Sequence, residues 1–91
     1  MIEENIKILN QNGIDARASA VFVQSASSFV SNVWLKKDDS QVNAKSIMSL
    51  MSLALRKGNK VLLKVDGVDE IECAKQLKEI LSSSFWNNLL N

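Results

Sequence analysis

The chain has 91 residues, 46% of them hydrophobic and 23% charged, with a net charge of +1. That is enough for one core and too little for two, and so balanced a charge argues against a dedicated nucleic-acid binder. Histidine is absent, which removes imidazole chemistry and the commonest metal ligand, and a lone cysteine, Cys73, with scattered carboxylates is a poor zinc set. No metal or cofactor is expected.

No apolar run reaches the roughly 18 to 20 residues that span a bilayer. The acidic start Met1-Ile2-Glu3-Glu4 lacks the pattern of a signal peptide. A single cysteine forms no intrachain disulfide, which suits a reducing cytoplasm. Cys73 reads as a helix-face filler rather than a redox group.

Along the chain, Asn5–Leu9 alternates, with Ile6 and Ile8 on one face, and predicts a strand. Asn10–Gly13 reads as a loop. From Ala16 to Phe29 the period becomes helical, carried by Ala18, Phe22, Ala26 and Phe29, with Asp15 at the N-cap position. Val33 and Leu35 predict a second strand. Lys37–Ser40 predicts a tight turn into a third near Gln41–Asn43.

Ile47, Leu50, Met51 and Ala54 form a second helical stripe behind Ser46 as N-cap, with Gly58 as a stop signal. On this reading Met51 is core and Met48 points away from it. Val61, Leu63 and Val65 predict a fourth strand. Asp69 and Glu72 have capping-box spacing before a last helix that buries Cys73, Ala74, Leu77 and Leu81. The tail from Ser84 to Asn91 is an apolar extension that either packs on its own domain, prolonging the last helix through Leu81, Phe85 and Leu89 or docking on the open sheet face near Trp34, or serves as a partner surface. The order β-α-β-β-α-β-α predicts one α+β domain over 1–91, with one sheet face covered by helices.

Three stretches carry a family resemblance: N-G-I-D-A-R-A-S-A-V-F-V-Q (Asn12–Gln24), V-N-A-K-S-I-M-S-L-M-S-L (Val42–Leu53), and the K-G-x-x-V-x-L-x-x-x-G-x-D-E pattern from Lys57 to Glu70. In these the chain resembles the HPr family, phosphocarriers of the bacterial phosphoenolpyruvate-dependent sugar phosphotransferase system, and specifically a Crh-like or degenerate paralogue. The resemblance implies an open-faced sandwich, a four-stranded antiparallel sheet with three helices on one face.

It also implies a phosphoacceptor histidine where this chain has Asp15, beside Arg17, and a proline where it has Ala18. Three readings of Asp15 stand together: a helix cap, a fixed-charge imitation of phosphohistidine, or a carboxylate that itself accepts phosphate. By the same resemblance Ser46 is the serine phosphorylated by HPr kinase/phosphorylase, the product acting with catabolite control protein A. Ser49 departs from the family's glycine. Ala20, Gln24, Ile47, Met48 and Met51 match docking positions, for which an exposed methionine is well suited. Enzyme I and sugar-specific transport proteins are the implied relay partners. A regulatory module that has left the relay, rather than an enzyme, is the expectation; the alternatives are a phosphocarrier working through Asp15 and an interaction module with drifted partners that uses the Phe85-Trp86 segment.

Overall fold

The computed structural model describes residues 1–82. The elements run β1 (Ile2–Lys7), α1 (Ala16–Ser27), β2 (Asn32–Lys37), β3 (Ser40–Asn43), α2 (Ile47–Ser52), β4 (Lys60–Asp66) and α3 (Glu70–Ser82). The expected order is borne out, and the strands form one antiparallel sheet in the order β1-β4-β2-β3. β1 and β2 run parallel on either side of β4, so α1 connects two strands that leave a slot for β4, and α2 likewise connects β3 to β4 across β2.

Alternation decides which sheet face is covered. Ile6, Val33, Leu35, Val61, Leu63 and Val65 point into the core, where they meet Ala18, Phe22, Ala26, Leu50, Cys73, Ala74, Leu77 and Leu81 from the helices. No helix among the described residues covers the opposite face, which carries Trp34. The C-terminal extension lies outside the described residues, so none of the arrangements expected for it is described.

Element boundaries shift for identifiable reasons. β1 begins at Ile2 rather than Asn5, because its two acidic residues are paired: Glu3 with Lys64 at 3.7 Å and Glu4 with Lys78 at 3.3 Å. β1 closes at Lys7, but Ile8 stays fully buried because its N–H donates to the Asn59 carbonyl and its carbonyl accepts from Gly58, both at 2.8 Å. α1 stops at Ser27, short of Phe29. There the Asp69 carboxylate accepts the amides of Val30 at 2.9 Å and Ser31 at 3.0 Å, together with the Ser31 hydroxyl, and turns the chain out of the helix.

That use of Asp69 corrects the expected capping box. Asp69 occupies the cap position, with its carbonyl accepting from Cys73 at 3.0 Å, but its side chain serves the loop after α1. Glu70 instead reaches back to the Gly67 amide at 3.3 Å. Gly67 is required there, since a β-carbon would come within 2.6 Å of Ser31 Cα.

The second stripe is also corrected. α2 has six residues and buries only Leu50, while Met51 is 44% exposed. Ala54 takes a left-handed φ of 50° and turns Leu55 into the core beside Leu53. Lys37 Nζ donates to the carbonyls of Leu53 at 3.1 Å and Ala54 at 3.4 Å, closing the helix end. Gly58 therefore belongs to the turn before β4, not to the helix stop.

Candidate functional site at two helix starts

The loop before α1 is laced to a segment far away in sequence. Gly13 donates to the Asn10 carbonyl at 3.0 Å, and Ile14 to the Leu55 carbonyl at 2.9 Å. Gly13 has φ +66°, and a β-carbon there would come within 2.7 Å of Arg56 Cα, so conformation and space both demand glycine. Ile14 is buried and anchors the loop, which leaves Asp15, Ala16 and Arg17 exposed at the surface.

Asp15 is extended (φ −77°, ψ −172°), and its Oδ1 accepts the Ala18 amide at 2.9 Å. Its carbonyl accepts from Ser19 at 2.8 Å, so side chain and backbone together close the first turn. The ion pairs among the described residues do not include Arg17, whose guanidinium is not bridged to the Asp15 carboxylate. No cluster of three potential metal ligands occurs among the described residues. The carboxylate is thus an exposed cap without an activating group of that kind.

The start of α2 is built from the residues N-A-K-S. Asn43 Oδ1 accepts the Lys45 amide at 2.9 Å and its carbonyl accepts from Ser46 at 3.2 Å, a side-chain turn that aims the chain into the helix. Ala44 is fully buried and bonded to Val33, while Lys45 Nζ donates to the Phe29 carbonyl at 2.8 Å and ties this turn to the end of α1. Ser46 is half-buried, and its Oγ accepts the Ser49 amide at 3.4 Å, a long contact for a cap. Its hydroxyl is held only weakly.

Around Ser46, Met48 is 82% exposed and Ile47 38% exposed. With Met51 they make an apolar surface on a helix whose inner face is Leu50 alone. Ala20 and Gln24 are exposed one turn apart on α1, which packs against α2. The five positions matched to docking therefore stand on the outer faces of two touching helices. Sequence reasoning missed the supports beneath the site: Asn43, Lys45, and the Leu55–Arg56 segment under Gly13. Asn43, two residues ahead of Lys45, carried a turn signal, whereas the contact between Gly13 and Arg56 is set by tertiary packing and had none.

Comparison with known proteins places this geometry. The family described as "PTS HPr component phosphorylation site" matches residues 2–83. The phosphocarrier protein HPr of Neisseria meningitidis is 47% identical over 85 residues, covering 93% of this chain and 96% of the relative. The HPr-like protein Crh of Bacillus subtilis is 46% identical over 77 residues, covering 85% and 91%. The crystal structure of a phosphocarrier protein HPr from Bacillus anthracis superposes with a TM-score of 0.86 at 34% identity, covering 89% of this chain and 96% of that one.

Proposed function

The chain belongs to the HPr family, whose members carry phosphoryl groups in the sugar phosphotransferase system rather than catalyse reactions themselves, and from that premise we propose that it is a regulatory module switched at Ser46 and retired from histidine phosphotransfer. The observation that carries this reading is the contrast between the two helix starts. At α1 the relay position holds a carboxylate already bonded to the Ala18 amide. At α2 a loosely held hydroxyl sits beside exposed Ile47 and Met48.

The physics suits each half. A phosphohistidine relay needs a ring nitrogen that is nucleophilic at neutral pH and a labile P–N bond, and a carboxylate supplies neither. As an imitation of phosphohistidine, Asp15 has one charge where phosphate has about two, and fewer acceptor oxygens. A phosphate on Ser46 would meet the unpaired amides at the start of α2, so modification is compatible with the fold. It changes the charge beside the docking surface without rebuilding the core.

On this reading the modifying enzyme is HPr kinase/phosphorylase, which passes the γ-phosphoryl group of ATP to Ser46 Oγ, releasing ADP. The phosphorylated chain then works with catabolite control protein A in the cytoplasm, as one domain over 1–91. No helix among the described residues is long and apolar enough to cross a membrane. The kinase with ATP adds one phosphate to the wild-type chain and none to Ser46→Ala. Absence of incorporation into a folded wild-type chain removes the reading.

A second reading keeps Asp15 as an acyl-phosphate acceptor from enzyme I. It is favoured only by the exposure of that carboxylate at a helix start. Hydroxylamine, which cleaves acyl phosphates, separates it from serine modification.

A further inference from the structure

The sheet face that no described helix covers carries a charge arrangement that strand stability does not explain. Alternation puts Glu3, Asn5 and Lys7 of β1, Lys60, Leu62, Lys64 and Asp66 of β4, and Asn32, Trp34 and Lys36 of β2 on that face. The register sets Lys7 directly opposite Lys60. Like charges facing each other across an antiparallel pair are destabilising.

Both carboxylates of the face are already engaged. Glu3 pairs with Lys64 at 3.7 Å, and Asp66 lies 3.6 Å from the Met1 ammonium. Lys7, Lys36 and Lys60 have no ion-pair partner among the described residues, and residues 83–91 contain no aspartate or glutamate. Lys36 sits opposite Leu62, diagonal to Lys60 and two residues from Trp34. Three cations thus surround Leu62 at one end of the face, with Trp34 beside them. The neutral composition of the whole chain conceals this segregation.

We infer that the open sheet face is a docking surface for an acidic polypeptide segment, whose carboxylates pair with Lys7, Lys36 and Lys60 while an apolar side chain rests on Leu62 and Trp34. Charge complementarity selects an anion. Trp34 is only partly exposed, and among the described residues no second aromatic residue lies on this face. A single-stranded nucleic acid needs successive stacking rings and a longer basic track, so a peptide fits better. The surface lies on the far side of the sheet from the helices that carry Asp15 and Ser46, so a segment bound there leaves both positions accessible.

The test uses the full chain with Trp86→Phe, so that Trp34 alone reports by fluorescence. The probe is a peptide of alternating glutamate and valine, with an oligothymidylate of equal charge alongside. Saturable, salt-sensitive binding of the peptide is expected, weakened about tenfold by Lys7→Glu. That substitution also converts a repulsive cross-strand pair into an attractive one, so its melting temperature rises. The inference is overturned by no binding of the peptide, by affinity unchanged in Lys7→Glu or by salt, by preference for the oligothymidylate, or by a lower melting temperature of the variant.

Discussion

The Asp15 carboxylate accepts the backbone amide of Ala18 at 2.9 Å, which makes the residue at the relay position a structural part of α1. Replacing it with alanine leaves that amide without its partner and costs about 1 kcal/mol, whereas asparagine preserves the cap. Urea denaturation of the two variants measures the difference. Equal losses in both would show that charge rather than capping sets the effect.

α2 hangs from one side chain. Leu50 is 1% exposed, while Met51 is 44% exposed. Leu50→Ala is expected to destabilise by roughly 2–5 kcal/mol, and Met51→Ala by under about 0.5 kcal/mol. If Met51 is a docking residue, its alanine variant keeps the fold and loses partner affinity. Paired denaturation and binding measurements separate the two roles.

The clasp between Asp69 and the loop after α1 makes stability depend on acid. The Ser31 hydroxyl, with the Val30 and Ser31 amides, holds the Asp69 carboxyl below its ordinary value of 3.8. A carboxyl lowered in the folded state contributes fully above its unfolded value and loses that contribution as pH falls through the folded one. Stability therefore declines below about pH 4, and Asp69→Asn flattens this limb while lowering stability at neutral pH. Thermal melts across pH 2–7 (roughly the range of carboxyl titration) test it.

Cys73 is fully buried, and burial pushes its thiol up to about 11, with the Asp69 charge adding to the shift. Its alkylation at neutral pH is expected to follow unfolding, so the labelling rate rises with urea in step with the unfolded fraction. Rapid labelling of the folded chain would contradict the buried position.

The parts legible in the sequence are those set by short-range pattern. Val61, Leu63 and Val65 announced β4, and Ala18, Phe22 and Ala26 announced α1, because burial of one face imposes their spacing. Asp15 and Ser46 were readable as caps from residue type and position. What escaped depends on contacts between distant segments. The stripe Ile47-Leu50-Met51-Ala54 looked like a continuing helix, but a left-handed Ala54 and Lys37 from another strand end it after Ser52. Asp69 and Glu72 had capping-box spacing, and the loop at Val30 and Ser31 took the carboxylate instead. The lysine pair on the open face was equally invisible, since only the register brings Lys7 and Lys60 together.

The most direct measurement is the intact mass of one preparation divided between two phosphoryl donors. With HPr kinase and ATP the account predicts a gain of a single phosphate, stable to hydroxylamine and absent in Ser46→Ala. With phosphoenolpyruvate and enzyme I it predicts no change. A phosphate acquired from enzyme I and lost on Asp15→Ala, with none acquired from the kinase, would contradict it.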